Sequence, residues 1–228
     1  MLELVVHALG PVCREVVFVG GCATGLLLTR ERPERIRVTE DVDVVAHALT
    51  AQEYHAVEQR LRARGFRNDL RPGAPICRWV VRNVTVDVMP TEKGILGFSN
   101  RWYPLAIATA QDRMLPSGGS IRLISGPAFV ATKLEAFKDR GRDASGQPDY
   151  LGSHDLEDII TVVDRRSELL DECRVAPDDL RRYLSQSFAV LLRTPDFVTS
   201  LAGHLPGDAF SQRRLGGLRD TLQALSNI

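Results

Sequence analysis

The apolar positions of this chain follow two patterns, and the change falls near residue 125. In the front part the apolar residues come in short runs. Val16-Val17-Phe18-Val19 is a continuous one, which predicts a buried strand, and it ends in Gly20-Gly21. Ala23 to Leu28 has the composition of a short helix. After a charged turn, Ile36 to Val45 predicts a second strand, with Val42, Val44 and Val45 as its anchors and Thr39, Asp41 and Asp43 interrupting them. Ahead of these, Met1 to Cys13 carries Leu2, Val5, Val6 and Leu9 at near-helical spacing and stops at Pro11. Thr50 to Gly65 predicts a helix, with Thr50 and Glu53 as a capping box, Gly65 as the stop, and Tyr54, Val57 and Leu61 on one face. Phe66 to Asp69 begins a strand and Pro72-Gly73 turns the chain. Ile76 to Val81 and Asn83 to Met89 follow as a hairpin around Arg82-Asn83. Pro90 to Asn100 reads as loop. Trp102 to Ala110 reads as a strand or irregular edge, because Pro104 forbids a central position. Gly118-Gly119 is a turn before a short strand at Ser120 to Ile124.

From Ser125 onward the pattern is helical. Ser125-Gly126-Pro127 starts a helix that runs through Lys133 to Arg140 and ends at Gly141. A polar loop reaches Gly152, and Ser153 or Asp155 caps a second helix through Arg166. Pro177 to Arg193 and Asp208 to Asn227 are further amphipathic helices. The expectation is an α+β fold: an α/β domain over residues 1–125, a mixed sheet with flanking helices, followed by a helical domain over 126–228.

Composition changes this picture little. Lys+Arg and Asp+Glu are equal at 29 each, so net charge makes no case for a nucleic-acid partner. Arginines do concentrate locally, from Arg30 to Arg37 and from Arg60 to Arg82, as a solvated surface or as a phosphate-reading rim. Cys13, Cys22, Cys77 and Cys173 have no C-x-x-C spacing. Met1 to Leu9 is too short for a secretory signal and carries Glu3 and His7. The thiols therefore read as reduced, and the expected location is cytoplasmic. No apolar run approaches membrane-spanning length, so no membrane partner is expected.

The chemistry lies in the front part. Side chains at i and i+2 of a strand share a face, so Asp41 and Asp43 stand together, with Thr39 two residues before them. Two such carboxylates repel one another unless a cation sits between them, and hard divalent ions such as Mg²⁺ take all-oxygen ligands. A glycine pair opening a helix, Gly20-Gly21, lets phosphate approach the main chain and presents free N–H groups at the positive helix end.

At these residues the chain resembles the DNA polymerase β-like nucleotidyltransferase superfamily, whose pattern is GG, then a D-x-D strand, then a third carboxylate on a neighbouring strand. Asp87, in Trp79 to Met89, matches the third carboxylate. With FVATKLEAFKDRG and YLGSHDLEDII added, residues 16–163 are similar to the AbiEii-type nucleotidyltransferases of bacterial toxin–antitoxin systems. The resemblance implies a nucleotidyltransferase (polymerase β-like) fold, with Asp41, Asp43 and Asp87 holding Mg²⁺ and carrying catalysis. It implies that Gly20, Gly21, Thr39, Lys133, Asp155 and Asp158 bind a nucleoside triphosphate. It also implies an RNA acceptor, tRNA in particular, and a cognate antitoxin protein as partner. Many relatives have serine at the second glycine position, a hydroxyl that Gly21-Cys22 lacks.

Several of these residues have ordinary readings as well. Thr39 is also a β-favouring surface residue, Lys133 also a snorkelling lysine on an apolar helix face, and Asp155 also a helix cap. Trp102-Tyr103 either stacks on a base or belongs to the core. Two other functions fit the same motifs: transfer to a small molecule of the aminoglycoside type, and a nucleotide- or partner-binding pseudoenzyme. The intact triad argues against the last.

Overall fold

The computed structural model describes residues 1–30, 37 and 39–228. The chain forms two compact units. The first takes Met1–Ala23 and Arg37–Ser125, and the second takes Gly126–Ile228 together with the chain from Thr24.

The first unit is built on a mixed sheet, seven-stranded among the described residues. Helix α1 (Leu2–Leu9) and a 3₁₀ turn (Gly10–Arg14) lead into β1 (Val16–Val19), all four residues of which are buried. Helix α2 (Gly20–Leu27) follows directly. Then come β2 (Asp41–Ala46), α3 (Ala51–Ala63), β3 (Arg67–Asn68), β4 (Arg78–Val81) and β5 (Val84–Pro90). Short helices α4 (Lys93–Leu96) and α5 (Tyr103–Ala108) precede the strands β6 (Gln111–Met114) and β7 (Ser120–Leu123). The strand order is β3-β4-β5-β2-β1-β7-β6. β2 runs antiparallel to β1 and parallel to β5. The chain reaches β5 from β2 by way of α3 and the outer strands, the long crossover that a parallel pair requires.

The capping box at α3 is formed in full: the Glu53 amide donates to Thr50 Oγ1, and the Thr50 amide donates to the Glu53 carboxylate. At the other end of α3, Arg64 Nε donates to the Ala8 carbonyl at 2.9 Å, so a cation closes the C-terminus of α1. Tyr54, Val57 and Leu61 are buried as the periodicity predicts. β4 and β5 form a hairpin whose turn residues, Arg82 and Asn83, both have positive φ (47° and 66°). That is the twist a two-residue connection needs, and asparagine tolerates it well.

The second unit is helical, as expected. Its helices are α6 (Gly126–Arg140), α7 (His154–Arg165), α8 (Leu169–Arg174), α9 (Asp178–Leu192), α10 (Pro195–Ser200), α11 (Ala209–Gln212) and α12 (Leu215–Leu225). Ser153, not Asp155, caps α7: the Leu156 amide donates to its hydroxyl.

Three expectations need correcting, and one strand was not expected. β2 begins at Asp41, so the alternation that placed Thr39 beside Asp41 does not reach it; Thr39 is half-buried outside the strand. Of the expected strand, Ile36 and Val38 lie outside the described residues. Trp102 to Ala110 holds a helix, with Pro104 in its first turn, where the missing N–H costs nothing. β6 went unread because all four of its residues are exposed, which leaves no alternation to detect. The last predicted helix is two, α11 and α12. The break falls at Arg214, whose guanidinium is held by Asp164 of α7 at 3.2–3.3 Å.

Candidate functional site

In the first unit the strand register decides which side chains meet. Asp43 lies opposite Val19 on β1 and Asp87 on β5, and Asp41 lies opposite Thr85. Neighbours in register on parallel strands present their side chains to the same face, so Asp43 and Asp87 stand side by side, with Asp41 two residues along. One carboxylate oxygen from each of the three lies within 4.8 Å of the others. Asp87 is buried, and Asp41 and Asp43 are half-buried. Val42, Val44 and Val45 between and beyond them are fully buried, so the carboxylates ride on a rigid strand.

Gly20 follows Val19, so it stands over Asp43. It has φ +64°, in the left-handed region. A Cβ there would lie 2.7 Å from Asp43 Cβ and 2.5 Å from Cγ, and it would meet Oδ2 head-on. The position therefore requires glycine for two reasons, backbone conformation and the approach of a carboxylate. At the next turn the Cys22 thiol folds back onto the main chain, donating to the Val19 carbonyl at 3.1 Å.

A fourth side chain completes the cluster. Arg78 lies opposite Asp87 across the β4–β5 hairpin. Its Nε donates to Asp87 Oδ1 at 2.8 Å and its Nη2 to Oδ2 at 2.7 Å, a two-pronged ion pair. Nη2 also reaches Asp41 Oδ2 at 3.3 Å. Hydrogen bonding to Asp87 holds the guanidinium pKa above its ordinary value, against a smaller opposing effect of burial. Beside it the Cys77 thiol is pushed up to about 12, by burial first and then by Asp87. Arg78 lies in the arginine-rich stretch from Arg60 to Arg82, and its charge is committed to the triad. The hairpin itself carried the signal: a two-residue turn at Arg82-Asn83 sets Val81 against Val84 and hence Arg78 against Asp87.

The donor set suits a divalent cation. It is all oxygen and triply anionic, with Gly20 leaving space at Asp43. The Arg78 guanidinium bridges two of the three carboxylates, Asp87 and Asp41.

The other candidate residues gather in the second unit. Lys133 on α6 places its ammonium 3.0 Å from Asp155 and 2.7 Å from Asp158, both on α7. Arg140 closes on Asp155 from the other side with two hydrogen bonds of 2.9 and 3.0 Å. Lys133, Asp155 and Asp158 are all buried. Burial pushes the Lys133 pKa down, but the two carboxylates outweigh it and hold the ammonium above its ordinary value. For Asp155 burial raises the pKa, while Arg140 and Lys133 overcome it and hold it below the usual range. Lys133 is therefore not a snorkelling surface lysine, and Asp155 is not the cap. His154 is exposed. Trp102 is buried at 3% exposure, which makes it core and not a stacking platform.

No family model matches the chain. No curated protein matches it either. Among solved structures it is similar to a candidate nucleotidyltransferase from H. pylori, at 13% identity and a TM-score of 0.42, over 99% of this chain and 90% of that one. No conclusion about function rests on a likeness that distant. None of the four cysteines is in a disulfide, and among the described residues no helix is long and apolar enough to cross a membrane.

Proposed function

We propose that this chain is a metal-dependent nucleotidyltransferase, which moves a nucleotidyl group from a nucleoside triphosphate to an acceptor hydroxyl and releases pyrophosphate. The observation that carries the reading is the convergence of Asp41, Asp43 and Asp87 from two adjacent parallel strands onto one point within 4.8 Å. Asp41, Asp43 and Asp87 would hold Mg²⁺, which supplies positive charge for the triphosphate and for the leaving pyrophosphate. Asp87, the most buried of the three, is the residue to take the proton from the acceptor hydroxyl. Gly20 keeps Asp43 in place by leaving room for it, and Gly21 offers main-chain approach to the phosphates.

RNA, tRNA in particular, is the acceptor that the motif resemblance favours, with a toxin-like role and an antitoxin partner. Arg78 contributes nothing to an RNA-binding patch while it is paired with Asp87 and Asp41. The remaining arginines for that task are Arg30, Arg37 and Arg82, together with Arg32 and Arg35, which lie outside the described residues.

The test is incubation with each labelled triphosphate, Mg²⁺ and total RNA, followed by gel and mass analysis of the labelled product. Labelled RNA is expected in wild type and none in Asp43→Asn. Transfer to RNA should also fall steeply with salt, through counterion release. Label on a small molecule, with a flat salt response, would assign the acceptor to the other class. No transfer to any acceptor, with triphosphate bound, would make the chain a pseudoenzyme.

A further inference from the structure

The geometry points to Arg78 as a built-in counter-ion of the carboxylate triad, one that a divalent cation must displace to bind there. The inference rests on the metal-site reading proposed above.

Three carboxylates within 4.8 Å of one another are a poor arrangement without positive charge. Arg78 provides it: both Asp87 oxygens and one Asp41 oxygen accept its N–H groups. Two of the three carboxylates that would hold a metal are therefore already engaged. Mg²⁺ requires near-ideal octahedral geometry at about 2.0–2.1 Å from its ligands. A guanidinium held at hydrogen-bond distance from two of the three carboxylates competes with the ion for them, and its charge repels the incoming ion. Arg78 is also placed to leave. Its side chain keeps 25% of its surface exposed, while that of Asp87 keeps 11%. A long stem pivoting at a hairpin strand can therefore carry the charge outward while the carboxylates stay fixed on β2 and β5. Arg78 belongs to the same cross-strand face as Asp87, so the pairing follows from the register and not from a chance rotamer.

Two consequences separate this from a purely structural ion pair. The metal-free protein depends on Arg78 for stability, and metal affinity is held down by the same residue. The probe is Mn²⁺, titrated calorimetrically and by the spin-resonance signal of the free ion, with thermal unfolding followed in EDTA and in Mn²⁺. In Arg78→Gln the Mn²⁺ affinity should rise at least tenfold. Its Tm in EDTA should fall below that of wild type, and added Mn²⁺ should restore more stability than in wild type. Arg78→Lys keeps a charge but loses the planar fork, and it should lie between the two. It also supplies the measurement if Arg78→Gln does not fold. Equal or weaker Mn²⁺ binding in both folded variants, with wild type binding the ion, would overturn the counter-ion role and leave the metal site standing. No Mn²⁺ binding in wild type or in either variant would overturn both.

Discussion

Replacing Gly20 with alanine tests the local physics of the site most directly. The perturbation is one methyl group. It meets two separate costs. At φ +64° an L-residue sits in the left-handed region, which costs roughly 1–2 kcal/mol. The new Cβ would also lie 2.7 Å from Asp43 Cβ, about 0.7 Å inside the 3.4 Å of ordinary contact. Rotating Asp43 about χ1 cannot relieve that overlap, because its Cβ is fixed by the pairing of β2 with β1 and β5. The backbone must move, at the 1–3 kcal/mol typical of forced overpacking. The expected loss is about 2–5 kcal/mol, a large part of the stability of a typical domain. Metal-ligand distances tolerate only about 0.2 Å, so Mn²⁺ affinity should fall at least tenfold even where the protein folds. Urea unfolding can be followed by the fluorescence of Trp79 and Trp102, both buried in this unit. Gly97→Ala is the control: Gly97 also has positive φ (84°), but nothing lies within 4 Å of its added Cβ, so it reports the backbone cost alone. If Gly20→Ala and Gly97→Ala lose the same stability, and Gly20→Ala binds Mn²⁺ like wild type, the carboxylate-approach argument is wrong.

Asp43→Asn keeps the shape and removes a charge, so Mn²⁺ binding and transfer should both be lost while the far-UV circular dichroism stays that of wild type; an active, folded variant would refute the triad. Lys133→Ala leaves Asp155 and Asp158 buried without the ammonium between them and should cost about 3–5 kcal/mol, read by urea unfolding. The pH dependence follows from the same cluster. Asp155 has a folded pKa below its ordinary 3.8, so its stabilisation is present above about pH 4 and disappears as pH falls through the lower folded value. Lys133 has a folded pKa above 10.5, so its stabilisation is complete below that pH and is lost only as pH rises through the folded value. Asp155→Asn should flatten the acid limb of the stability curve and leave the neutral plateau lower. Burial pushes Cys77 and Cys173 up to about 12, so neither should react with a thiol reagent at pH 8 until denaturant is added.

The sequence alone determined the elements whose signals are local. Val16–Val19 is apolar at every position, and a strand made so is buried on both faces. Thr50 and Glu53 fix the start of α3 through two hydrogen bonds that span only three residues. The alternation of Asp41, Val42, Asp43 and Val44 already placed two carboxylates on one face. Where the signal was not periodic, the reading failed: β6 is exposed throughout, and Pro104 fits a helix's first turn as well as a sheet edge. What joins distant segments was decided by tertiary structure. The parallel register of β2 and β5 sets Asp87 beside Asp43 across 44 residues of chain. The approach of Asp43 turns Gly20 from a turn residue into a position that excludes any side chain. Asp155, a helix cap by sequence position, is drawn instead to Lys133 and Arg140, because a buried carboxylate gains more from two cations than from free amides at a helix end that Ser153 already caps. Arg78 belongs to the triad only because a two-residue turn aligns it with Asp87. Local spacing fixes which face a side chain takes, but the strand pairing fixes what it meets there.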